Sequence, residues 1–121
     1  IKEIYYLSGA YVDENLEMYP INDCRILRVI IQCQNEDEPM IEMEFQDLKY
    51  LKLFPIDPHY TCEILDSTIL LKEDCIIWCD CENEKNVESE NDARIFICAA
   101  KLRWRSISGY MGNKKFFKPV K

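Results

Sequence analysis

Strict alternation of apolar and polar side chains limits this chain more than any other feature. After Arg25 the odd positions Leu27, Val29, Ile31 and Cys33 are apolar, while Arg28, Gln32 and Gln34 punctuate the other side. Further on, Ile41, Met43 and Phe45 alternate with Glu42 and Glu44. Residues two apart share one face of a strand, so each run has a dry face and a wet face. Helical spacing of apolar residues is scarce. The acidic turn Asn35-Glu36-Asp37-Glu38-Pro39 between the two runs predicts an antiparallel hairpin.

The same reading extends along the chain. Residues 60–71 lean towards β structure, and Lys72-Glu73-Asp74 turns them into Cys75-Ile76-Ile77-Trp78-Cys79, a second hairpin. Phe54-Pro55-Ile56-Asp57-Pro58 stops any ladder, because proline donates no hydrogen bond. Arg94 to Ile107 reads as the last and longest strand, with Phe96, Cys98, Ala100, Leu102 and Trp104 on its apolar side and Lys101, Arg103 and Arg105 opposite. Ile4–Leu7 and Ala10–Val12 are further β-like stretches, whereas 13–23 and the acidic segment 82–92 read as irregular connections. The expectation is an all-β, mainly antiparallel single domain over residues 1–121 with little helix. Run spacing gives about six to eight strands in a sandwich or small barrel, followed by a basic tail over 108–121.

Charge narrows the partners. The net charge is −7, yet from Lys101 onward there are seven bases and no acid, so residues 1–100 carry a net of −14. An acidic body repels phosphate backbones, which argues against nucleic acid as a partner, and no apolar run is long enough to span a bilayer as a helix. The seven cysteines are an odd number in a chain large enough to have its own core. That combination predicts free thiols in a reducing cytoplasm rather than a disulfide scaffold.

Candidate chemistry is sparse. Cys75, Cys79 and Cys81 fall on one side of a strand, but at about 3.3 Å per residue the outer two are roughly 20 Å apart. They cannot share one ion, so no metal and no cofactor is expected. His59 is the sole histidine and sits in a Pro-flanked loop without a glycine-rich elbow, so no catalytic residue is assigned. Three glycines cannot build a phosphate-binding loop. In Lys101-Leu102-Arg103-Trp104-Arg105, alternation separates the aromatic from the bases. Trp104 is therefore expected in the core, with the bases meeting acids across the sheet.

Tyr6-Leu7-Ser8-Gly9-Ala10-Tyr11-Val12, Ile41-Glu42-Met43-Glu44-Phe45, Leu51-Lys52-Leu53-Phe54-Pro55, Tyr60-Thr61-Cys62-Glu63-Ile64-Leu65 and Leu102-Arg103-Trp104-Arg105 together resemble a family of small uncharacterised proteins of Gram-positive, mainly clostridial, bacteria. The resemblance implies no activity and no catalytic residue. Two classes of function are open. One is a non-catalytic module that binds a basic protein, an immunity-type protein facing a basic toxin domain being its sharpest version. The other is a small-ligand binder or small enzyme. Candidate partner contacts are Glu36, Asp37 and Glu38 in the turn, with Glu42 and Glu44, whose default reading is a wetted strand face; no base interrupts the run from Glu36 to Asp47. Unfolded under anaerobic conditions, the protein is expected to release all seven cysteines to a thiol reagent. Three reproducible disulfides in protein from native cells would contradict this.

Overall fold

The computed structural model describes residues 1–81 and 93–118. The acidic segment 82–92 and the last residues of the basic tail, 119–121, lie outside them. Eight strands occur among the described residues, and no helix: β1 (Glu3–Leu7), β2 (Tyr11–Val12), β3 (Met18–Tyr19), β4 (Ile26–Gln32), β5 (Met40–Leu53), β6 (Thr68–Leu71), β7 (Ile76–Cys79) and β8 (Ile95–Ser106). Six form an antiparallel sheet in the order β1-β4-β5-β8-β7-β6, and β2 pairs with β3 separately. The all-β antiparallel expectation holds. The barrel alternative is corrected, because the sheet is open with β1 and β6 at its ends.

The chain forms two compact units, 1–47 with 102–121, and 48–101. In the first unit the expected β4–β5 hairpin follows from the alternation of β4, which pairs on its other edge with β1. Leu27, Val29 and Ile31 sit opposite Phe45, Met43 and Ile41 on β5, while Arg28 sits opposite Glu44 and Ile30 opposite Glu42. Tyr5 on β1 lies opposite Arg28. Leu27, Val29, Ile30, Met40 and Phe45 are fully buried. The β4–β5 ladder ends beside Arg25 and Asp47, both non-glycine residues at positive φ (44° and 51°) and joined by a 3.6 Å ion pair. A left-handed residue of this kind costs about 1–2 kcal/mol, and Asp47 is also where this unit's share of β5 stops.

Among its described residues the tail is neither free nor helical. Ile107 N–H donates to the Met40 carbonyl (3.0 Å), and Gln32 donates to the carbonyls of Tyr110 (3.2 Å) and Gly112 (3.1 Å). Lys2 donates to the Tyr110 and Lys114 carbonyls, the Phe116 N–H donates to Glu3 (2.8 Å), and Phe117 stacks on Tyr5 at 5.3 Å. These contacts seat the tail against β1 and β4. Gly9 at φ 102° turns the chain where a Cβ would lie 2.9 Å from the backbone nitrogen of Cys24, too close for any other residue.

In the second unit β6 and β7 form the expected second hairpin, although only 68–71 of the expected β run 60–71 is strand, and β7 pairs with β8. Ile77, Cys79, Ala93 and Phe96 make its core, with Leu70, Cys75, Cys81 and Cys98 packed against them. Burial and contact with the Cys75 thiol push the Cys98 thiol above its usual range. None of the seven cysteines is joined in a disulfide. The Asp80 carboxylate accepts the Arg94 and Ile95 N–H groups (3.0 and 3.1 Å), which fixes the entry into β8.

Further expectations along these strands are corrected: β5, at 14 residues, is longer than β8, at 12. Residues 13–23 are not wholly irregular, since Met18–Tyr19 returns to pair with Tyr11–Val12. Trp104 is 60% exposed rather than core. Alternation put it opposite the arginines correctly, but it cannot tell which face of a strand is covered. Phe45→Ala should lower stability by about 3–5 kcal/mol, read as the urea midpoint, because Phe45 is fully buried. A loss under 1 kcal/mol would mean that this core is misassigned.

Candidate functional site

The five acids singled out from the sequence do not form one surface. Glu36, Asp37 and Glu38 are exposed in the β4–β5 turn, which the Asn35 side chain shapes by accepting the Asp37 N–H at 3.0 Å. Glu42 and Glu44 are 7% and 6% exposed, so their reading as a wetted face is corrected. The cause is the neighbouring strands. Arg28 on β4 and Arg103 and Arg105 on β8 bring guanidinium groups over the same face of β5, and two buried carboxylates answer them. The expectation that the bases of β8 meet acids across the sheet holds here.

Glu44 takes most of these contacts. One carboxylate oxygen accepts from Arg28 Nε at 3.0 Å. The other accepts from Arg103 Nε at 2.8 Å, from a terminal nitrogen of Arg103 at 2.7 Å and from Gln46 at 2.9 Å. The Gln46 amide and the two arginines hold the Glu44 carboxyl below its ordinary range, against the opposing effect of burial. Glu42 accepts from Arg105 Nε at 3.1 Å. No buried side-chain oxygen or nitrogen among the described residues lacks a hydrogen-bond partner, so the ion-pair lattice is saturated from within. Together with Trp104 these five residues line a cleft of about 420 Å³ in the first unit.

A second surface of this unit went unnoticed in the sequence. The β2–β3 hairpin carries a loop held almost entirely by Asp13. Its carboxylate accepts the N–H groups of Asn15 (2.9 Å) and Glu17 (3.0 Å), its carbonyl accepts the Leu16 N–H (3.0 Å), and its own N–H donates to the Glu17 carbonyl (3.0 Å). Tyr11 and Tyr19 stack at 4.8 Å across the base. Leu16 occupies the left-handed position of this loop, at φ 66°, where hairpins of this length normally place glycine or asparagine. It is 85% exposed, with Met18 72% and Val12 55% exposed beside it. Asp13, Glu14 and Glu17 surround it, and no base occurs between Lys2 and Arg25. The available signal was Asp13-Glu14-Asn15, a turn-forming triplet between two apolar pairs.

Among the described residues no group of three or more His, Cys, Asp and Glu side chains is arranged to hold a metal ion. His59 lies in an exposed loop, its Nδ1 2.6 Å from Asp57, whose carboxyl is lowered by the backbone and ring N–H groups of His59. No helix among the described residues is long and apolar enough to cross a membrane.

Glu44→Gln should cost about 1–2 kcal/mol at pH 7, at the low end for a charged hydrogen-bond acceptor because the arginines remain hydrated. A carboxyl whose folded pKa is depressed stabilises the fold above the unfolded pKa. The wild-type advantage should therefore be full above about pH 4.5 and vanish as pH falls through the lower folded value. Urea titrations of both proteins from pH 7 to pH 3 check this, and an advantage that grows on acidification would contradict it.

Compared with protein families, curated proteins and solved structures, the chain matches none.

Proposed function

We propose that this chain is a non-catalytic protein-binding module for a basic protein partner, with an immunity-type protein that covers a basic toxin domain as its sharpest form. The observation that supports it most is Leu16. A leucine in the left-handed region costs about 1–2 kcal/mol, and leaving it exposed forgoes its burial energy, about 1.5–3 kcal/mol. Neither cost serves folding. Both serve binding, because a preorganised loop loses little entropy when its apolar tip enters a pocket. Asp13 supplies that preorganisation through four hydrogen bonds made by its side chain and backbone. Glu14 and Glu17, with Glu36, Asp37 and Glu38, provide the field that steers a cationic partner. The reading as a module rather than an enzyme draws on Glu44, which is held ionised by its partners and so is poorly placed to exchange a proton near pH 7.

A second reading, as a small-ligand binder, is favoured by one observation, the arginine-rimmed cleft.

The test begins with tagged protein expressed in its native host, followed by cross-linking from position 16 and reconstitution with the purified partner. The partner is expected to be basic. Leu16→Asp should weaken it at least tenfold, since burying a carboxylate in an apolar pocket is costly. Leu16→Gly should weaken binding while leaving the thermal midpoint equal or higher, because glycine relieves the strain at φ 66°. Equal recovery of the same partners by wild type and Leu16→Asp would reject this surface.

A further inference from the structure

We infer that the cleft between β4, β5 and β8 is a binding site for a small oxyanion, a carboxylate or phosphoryl group borne on a compact molecule. The inference is independent of the hairpin and of any protein partner. Its basis is a charge excess. Two buried carboxylates, Glu42 and Glu44, need two cations, yet three guanidinium groups converge on them. The five charges leave the cleft at net +1 in a chain whose overall charge is −7. No acid follows Lys101, so nothing on the C-terminal part of the chain cancels the excess.

The directions of the contacts point the same way. Arg28 and Arg105 meet the carboxylates through Nε, and Arg103 through Nε and one terminal nitrogen. A guanidinium has five N–H donors in a fixed fork. Most of the outer donors are therefore left for another acceptor, on side chains that are 42% (Arg28), 73% (Arg103) and 66% (Arg105) exposed. The buried carboxylates fix the inner edge of each fork, so an arriving oxyanion meets oriented donors rather than mobile ones, and planar bidentate pairing is what such a fork favours. Arg103 and Arg105 stand two apart on one face of β8, a spacing of about 7 Å that an oxyanion can bridge through their terminal nitrogens. The volume, about 420 Å³, exceeds what a bare ion fills, which leaves room for the rest of the molecule.

The experiment is an NMR titration of the full chain with inorganic phosphate, acetate and benzoate, read on the Nε–H signals of Arg28, Arg103 and Arg105. Ionic strength is held constant with chloride. Saturable shifts at these three residues with a dissociation constant of about 0.1–10 mM are expected, the range one or two charge-assisted contacts provide. Tighter phosphate than acetate assigns a phosphoryl ligand and the reverse a carboxylate. Benzoate is expected to bind at least as tightly as acetate, because the cleft has room for its ring, and exclusion of benzoate would contradict a ligand larger than a bare ion. Arg103→Gln should weaken binding at least fivefold. If that variant does not fold, Arg103→Lys keeps the charge, loses the fork and should weaken binding severalfold. Absence of saturation for all three anions at about 20 mM, or binding unchanged by the folded Arg103 variant, would overturn the inference.

Discussion

One buried carboxylate, that of Glu44, is the interaction on which the first unit is organised. It accepts from β4 through Arg28 and from β8 through Arg103, so a single side chain on β5 holds the strands on either side of it. Alone at 6% exposure it would be expensive to keep ionised. With two guanidinium groups and the Gln46 amide around it, the ionised form becomes the stable one. The same guanidinium groups could not lie side by side without the carboxylates beneath them. Acid and base thus specify one register, since shifting β4 by one residue would turn Arg28 to the apolar face and take from Glu44 its partner on that side.

This lattice sorts the charge of the protein. Glu42 and Glu44 are committed to arginines and contribute little to the outer field, and the basic tail is seated against β1 and β4. What remains outward and negative in the first unit includes the β4–β5 turn and the β2–β3 hairpin. The hairpin adds what a merely soluble surface does not need, a leucine held exposed in a strained conformation. Stability forgone at one exposed, apolar point supports the proposed binding surface.

Much of the fold was legible because alternation at period two is a direct consequence of strand geometry. It gave both hairpins, Leu27–Ile31 against Ile41–Phe45 and Leu70–Leu71 against Ile76–Ile77, and the long β8. Alternation says which residues share a face and nothing about what covers it. That is why Glu42 and Glu44 read as wet and Trp104 as dry, each the reverse of its place. The pairing of acids with the bases of β8 was readable as a class, but not that Arg28 would join from β4, because that depends on register. Strands of two residues, Tyr11–Val12 and Met18–Tyr19, are too short to show a period, so the hairpin and the position of Leu16 were missed. The cysteines of β7 and β8 read as small apolar residues, and Cys79 is fully buried.

The central claim is that Glu44 is an ionised, arginine-bound carboxylate inside the sheet rather than a contact awaiting a partner. A carbon-detected NMR titration of its carboxyl group from pH 7 to pH 2 tests this on the atom concerned. The account predicts a midpoint below the ordinary value of 4.5, with a further rise towards that value in Arg103→Gln. A midpoint at or above 4.5 in the wild-type protein, unmoved by removing Arg103, would contradict it.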